Sequence, residues 1–328
     1  MPSSMTHTYF GKDVLKDLPN NIKEKIDEQF FYLFSQGSDP FMFYHFLLGK
    51  KAKKVMSIQN TMHTKNTRDF FINTIKLIHE KKLLNNKEII SFLCGYIAHY
   101  YLDSYTHPYI YYKSGLFKKS DKSTYKNNGK HQEIEYNIDL YMIAKREKEK
   151  PYKYKVYKNI FNINSFSQQL SNFINETIEK TYQYKNISTL YLKCIHYMKS
   201  FFKYINYDPY GIKLFIYKTI DNLTPPQTLK LAKLSYHHNF QDNLSYLNLE
   251  HKNWTLPWDN STIFTTSFID LYNNALKDCT KTISEVITML EKKELDETRL
   301  KEIFKNNSYS TGENCNKKIE LKYFETEN

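Results

Sequence analysis

Five side chains of metal-ligand type stand at four-residue spacing, as 99/103/107 and 131/135, within the thirty-seven residues from His99 to Glu135. The chain there reads GYIAHYYLDSYTHPYI, then a lysine-rich loop, then HQEIEYNID. In a helix, residues four apart lie over one another on one face, so His99, Asp103 and His107 form a single stripe, and His131 and Glu135 repeat the spacing. The flanking Ile, Leu and Tyr residues predict burial, and a buried imidazole or carboxylate without a partner costs several kcal/mol. A metal cluster would satisfy all five groups. A purely structural polar network is the competing reading.

The elements that must position these groups are helical. Gly (8) and Pro (9) are scarce, and apolar residues recur at three and four rather than at two, which predicts an all-α fold. A short helix from about Gly11 should stop by Pro19, and a second covers Ile22 to Phe34. SQGSDPF makes a turn that puts Asp39 in position to cap an aromatic helix, PFMFYHFLL. His63 opens the amphipathic segment TRDFFINTIKLIHEKKLL. The helix carrying the stripe is expected to end at His107, because Pro108 disfavours helical backbone in the residue before it. The loop from Lys113 to Lys130 holds six lysines against Asp121 and reads as a contact for an anionic surface or as a solvated loop. Asp139, one turn beyond Glu135, is placed to hydrogen-bond a ligand histidine.

These patterns divide the chain into a metal-binding helical core at 1–150, C-terminal helices at 151–305 packed on it as one continuous domain, and a polar tail at 306–328, partly disordered. The later helices are expected at Ser165–Tyr184, Ser188–Tyr204, Pro226–Leu249 and Thr262–Lys292, interrupted by LNLEHKNWTLPWDN.

The chain has 328 residues, 41% of them hydrophobic, enough for a large core. Four cysteines without a CxxC pair exclude a disulfide framework and a cysteine zinc site, and predict a reducing compartment. The N-terminus lacks the features of a signal peptide, and no apolar run approaches the roughly 18 residues of a membrane span, so the expected location is the cytoplasm. Net charge is +12, yet only three of the 47 basic residues are arginines. That surplus of lysine suits generic attraction to a membrane surface or a phosphorylated substrate, not bidentate phosphate reading. HExxH and Gly-rich phosphate loops are missing, and nothing signals an oligomeric state.

Taken in order, THTYFG at His7, QGSDPF at Asp39, His63, AHYYLDSYTHPY, HQEIEYNID and the later LNLEHKNWTLPWD resemble the zinc-dependent phospholipase C family, in particular its cytoplasmic bacterial branch. That family shares a fold with the P1 nucleases, so the resemblance implies a multi-helix phospholipase C/P1 nuclease-like bundle with two to three zinc ions in a cleft. Carried over by motif, Asp39, His63, His99 and Asp103 would hold one metal and His107, His131 and Glu135 a second, with Asp103 bridging to a third. In secreted relatives the third metal takes a histidine and the amino group and carbonyl of an N-terminal tryptophan. Here no tryptophan precedes Trp254. Trimming of Met1 would free the Pro2 amine five residues before His7, so Pro2 and His7 are expected to complete the third site.

Imidazole and carboxylate ligands suit zinc, and a position left to water lowers that water's pKa to about 7. Paired metals clamp the attacking and leaving oxygens of a phosphoester, and the resemblance gives Asp39 the role of general base. The expected activity is that of a phospholipase C-type phosphoesterase on a phosphoester substrate, phospholipid included, with peripheral contact to an anionic membrane. Two alternatives stay open. One is a phosphodiesterase or nuclease acting on nucleotides or nucleic acid, which the charge favours although no stacked-aromatic and arginine pattern accompanies it. The other is a non-catalytic metal-binding scaffold, against which the nearly complete ligand set argues.

Overall fold

Helices form almost throughout, as the scarcity of breakers predicts. The computed structural model describes residues 4–44, 49–159, 163–237 and 244–325. Its helices are α1 (Ser4–Asp17), α2 (Asn20–Lys23), α3 (Glu28–Phe34), α4 (Gly49–Thr64), α5 (Thr67–Glu80), α6 (Lys87–Ser114) and α7 (Lys130–Arg146). They continue as α8 (Val156–Asn159), α9 (Gln168–Tyr182), α10 (Ile187–Phe201), α11 (Ile212–Leu223), α12 (Phe268–Lys292) and α13 (Glu297–Ile303). A two-stranded antiparallel ribbon, β1 (Trp254–Leu256) and β2 (Asp259–Phe264), pairs Trp254 with Phe264. The fold is all-α, and among the described residues no helix is long and apolar enough to cross a membrane.

Helix α6 is the axis of the molecule. The Asn86 side chain caps its start by accepting from the Ile89 amide at 3.0 Å. It is buried over nearly its whole length, with α3 and α12 as its main packing partners and α1 and α7 alongside. Gly95 lets α3 come close, since a Cβ there would lie 2.6 Å from that of Phe34. Helix α12 begins with a capping box between Ser267 and Asp270 and lays its apolar stripe, Tyr272, Ala275, Cys279, Ile283 and Val286, into the interior. One hydrophobic cluster runs from Met5 to Tyr309.

Several local expectations change. Helix α6 does not end at His107 but continues through Pro108 to Ser114. Pro108 has no N–H for the Ser104 carbonyl, and Gly312 packs so near that carbonyl that a Cβ would come within 2.5 Å. Burial of Tyr109 and Ile110 anchors the turns beyond the proline, so His107 keeps the helical register of the stripe. Ile22–Phe34 is two helices, because Asp27 caps a fresh start at α3 by accepting from the Gln29 and Phe30 amides. His63 closes α4 instead of opening the next helix. The aromatic segment after Asp39 is a 3₁₀ turn, Asp39–Phe43, in which Asp39 makes no capping bond; His45–Leu48 lie outside the described residues.

The pattern assigned to Pro226–Leu249 is not an α-helix where it is described. Two 3₁₀ turns, Leu231–Leu234 and Ser245–Leu247, stand there, and the helix of this region is α11, just upstream. The lysine loop contains a further 3₁₀ turn, Lys122–Asn127, capped by Asp121. The first residues of the polar tail pack against the body, with Asn306, Ser308 and Tyr309 buried.

Candidate metal centre

The stripe on α6 is fully buried, with the His99 Nε2 3.3 Å and the His107 Nδ1 3.8 Å from Asp103 Oδ2. Three other elements converge on it. Helix α1 brings His7, whose Nε2 is 3.1 Å from Asp103 Oδ1 and whose ring lies 4.5 Å from that of His99. The last turn of α4 brings His63, with Nε2 3.2 Å from His99 Nε2 and 3.4 Å from Asp39 Oδ1. Helix α7 brings His131 and Glu135, whose Oε1 is 2.9 Å from His131 Nε2 and 3.4 Å from His107 Nε2.

The donors fall into three groups able to hold a metal ion: His7 with His99 and Asp103, Asp39 with His63 and His99, and His107 with His131 and Glu135. His7, Asp39, His63, His99, Asp103, His107, His131 and Glu135 are therefore at one locus. The grouping differs in one respect from the motif carry-over: Asp103 stands with His7 and His99, and His99 is the residue common to two groups. Pro2 lies outside the described residues.

The surroundings fix these rings. His99 Nδ1 is 3.1 Å from the Ser35 carbonyl and His107 Nδ1 is 2.9 Å from the Tyr309 carbonyl, so both Nδ1 atoms donate and both Nε2 lone pairs face the centre. Gly37, at φ +53°, passes so close beneath His99 that a Cβ would lie 2.1 Å from its Cδ2. The Gln59 amide sits 2.9 Å from His63 Nδ1 and 3.3 Å from Asp39 Oδ1. Tyr309 covers the cluster, its amide donating to the His63 carbonyl at 2.9 Å and its ring 4.8 Å from the His63 ring. Asp139 bonds no ligand histidine in the way expected of it. It accepts from the Met5 and Thr6 amides, the Thr6 hydroxyl and the Tyr236 hydroxyl, and so pins the start of the helix that carries His7.

Sequence reasoning did not single out Tyr309, Gly37, Ser35 or Gln59. Gln59 left a faint signal, one turn before His63; Ser35 and Gly37 stand in SQGSDPF, which read only as a turn, and Tyr309 left none.

Burial pushes the Asp39 carboxyl up to about 7, with the nearby Asp103 charge adding to it. Burial acts the same way on Asp103, but the imidazoles of His99, His107 and His7 outweigh it and hold this carboxyl below its ordinary value. His99 is pushed down to about 3 and His63 and His131 are also lowered, all chiefly by burial. At His107 burial is outweighed by Asp103 and Glu135, which raise its pKa; the neutral imidazoles of His63, His99 and His131 beside an ionised Asp103 are in the state that binds a metal cation. Both Asp103 oxygens and both His7 ring nitrogens are buried with no well-formed hydrogen bond, although they face each other at close range. Donor atoms gathered around a point without bonding one another fit a cation between them, and an imidazole and carboxylate set with no cysteine in it suits zinc.

A family model described as zinc dependent phospholipase C matches residues 6–189, more than half of the chain. The chain belongs to the zinc dependent phospholipase C family. The match takes in His7, Asp39, His63, His99, Asp103, His107, His131 and Glu135, and it supports a hydrolase of phosphodiester type with zinc as its metal. No curated protein and no solved structure matches the chain.

Proposed function

We propose that this chain hydrolyses a phospholipid at the glycerol side of the headgroup phosphate, with two to three zinc ions held by His7, Asp39, His63, His99, Asp103, His107, His131 and Glu135, and by the Pro2 amine. The observation that carries this reading is the convergence of α1, α4, α6 and α7 on one buried cluster of histidines and carboxylates, in a chain of a zinc-dependent phospholipase family. When bound, zinc supplies Lewis acidity that makes water a nucleophile near neutral pH and draws charge from the phosphoryl oxygens.

The chain's own groups supply the rest. Asp39, at the edge of the cluster beside His63 and Gln59, takes the proton of the attacking water as its oxygen bonds phosphorus. The bond from phosphorus to the glycerol oxygen breaks, and that oxygen leaves as an alcohol after taking up a proton. Ser35 and Tyr309 hold the imidazole tautomers, and the wall formed by Tyr309 limits water at the cluster. Free thiols at Cys94, Cys194, Cys279 and Cys315 suit work in the cytoplasm.

The test is elemental analysis of purified wild type and Asp103→Asn, followed by turnover of phospholipid vesicles, dinucleotides and single-stranded nucleic acid. Two to three zinc per chain, a lower content in the variant, and a loss of about 100-fold or more in headgroup release are expected. Equal metal content in both proteins would sink the proposal, and turnover confined to nucleotides would replace its substrate.

A further inference from the structure

Helix α11 is mounted inside out. Ile212, Phe215, Ile216, Ile220 and Leu223 recur at three and four along one face, and that face points to solvent, with Ile212 62%, Phe215 75% and Leu223 82% exposed. No residue of the helix is buried. Three of its polar residues, Lys213, Tyr217 and Asp221, turn toward the body instead. Lys213 Nζ donates to the Tyr204 and Tyr207 carbonyls, the Tyr217 hydroxyl donates to the Ile205 carbonyl, and Asp221 accepts from the Leu231 and Ala232 amides. These bonds fix the helix with its apolar side outward, so the exposure is built in. Tyr204 and Tyr210 extend the same surface, at 60% and 79% exposed.

The helix adjoins the start of α7, the element that carries His131 and Glu135. His131 is the most exposed candidate ligand, at 16%. The segment that follows α11 is tied to the backbone just before it: the Asn128 side chain donates to the Pro226 and Thr228 carbonyls, and Lys233 pairs with Glu133 at 3.1 Å. A groove of about 450 Å³ separates α11 from the start of α7. Lysines flank the patch, Lys218 on the helix itself and Lys203 beside the Tyr204 ring, both exposed.

We propose that α11 is the membrane-docking element of this enzyme, inserting its apolar face into the headgroup layer of an anionic phospholipid bilayer while the surrounding lysines meet the lipid charge. A continuous apolar stripe bordered by lysines is the composition an interfacial helix needs, and solvent alone gives such a stripe nothing to pack on. The proposal rests on the phospholipid reading of the site, since docking here would bring the His131 end of the cluster to its substrate.

The experiment is co-sedimentation of the metal-loaded chain with phosphatidylcholine vesicles, with and without phosphatidylglycerol. It is run on wild type, on Phe215→Glu/Leu223→Glu and on Lys203→Glu/Lys218→Glu, with turnover of a soluble chromogenic phosphodiester measured in parallel. Wild type should partition onto the anionic vesicles, and each double variant should lose about ten-fold in partitioning while soluble turnover stays within about two-fold. Vesicle binding equal in wild type and the Phe215/Leu223 variant would overturn the proposal. So would a wild-type dimer that the same variant makes monomeric, since a second copy would then be the occupant. Absence of phosphodiester turnover would defeat the phospholipase reading alone, because partitioning is read without it.

Discussion

Helices α6 and α11 break the ordinary distribution of polar and apolar groups in opposite directions. The first carries two histidines and an aspartate into a fully buried interior; the second lifts Ile212, Phe215 and Leu223 into water. Each departure is held by specific bonds, from Ser35 and Tyr309 around the α6 imidazoles and from Lys213, Tyr217 and Asp221 beneath α11. The difference lies in what completes each helix. The buried cluster wants a cation, and the exposed stripe wants an apolar partner. Helix α12 shows the ordinary arrangement, with the same periodicity as α11 and its stripe turned inward.

The contrast predicts unequal responses to perturbation. Removal of metal with a chelator should have the largest effect, about 4 kcal/mol of unfolding free energy if free zinc otherwise stands near 1,000 times its dissociation constant, read by denaturant titration. Changes confined to α11 should leave that loss unaltered, and a coupling between them would break the contrast. Next in size is Gly37→Ala, which adds backbone strain of about 1–3 kcal/mol at φ +53° and drives a methyl group into the His99 ring; zinc content and stability should fall together.

Asp13 tests an ordinary half-buried pair against both extremes. Burial raises its pKa, but hydrogen bonds from Arg146 and Tyr272 outweigh this and hold it below 3.8. A depressed folded pKa means that the stabilisation is present above the ordinary carboxylate value and is lost as pH falls through the folded one. Asp13→Asn should therefore cost about 1–2 kcal/mol at pH 7, with the gap to wild type closing below about pH 4, followed by urea midpoints across pH. The smallest effect is expected for Ile212→Ser/Phe215→Ser: a shift within about 0.5 kcal/mol in thermal denaturation, since these side chains leave little contact behind.

The legibility of the chain followed the same division. His99, Asp103, His107, His131 and Glu135 could be read directly because two helices present them at fixed spacing, and distance along a helix translates into a shared face. Asp39, His63 and His7 sit on three other elements, so only resemblance to a family could join them to the cluster. Tyr309 was invisible because its neighbours in sequence are polar, and its burial depends on the groove beneath it. Pro108 misled because a local backbone preference yielded to burial of Tyr109 and Ile110. Helix α11 falls in the gap between the helices expected at Ser188–Tyr204 and Pro226–Leu249, and its orientation lies beyond what a sequence pattern carries. Periodicity tells which residues share a face, while the bonds of Lys213 and Asp221 decide which way that face points.

The contact between Tyr309 and the cluster has a consequence for the order of assembly. Ligands begin at His7, yet the carbonyl that fixes His107 belongs to Tyr309, some three hundred residues later. Contacts spanning most of a chain form slowly, after the loops between them have closed. During synthesis, a nascent chain would display its histidines and acids long before the wall over them exists. The finished centre is thus reserved for a chain translated past Tyr309, and zinc encountered earlier would meet a half-built, open and exchangeable site.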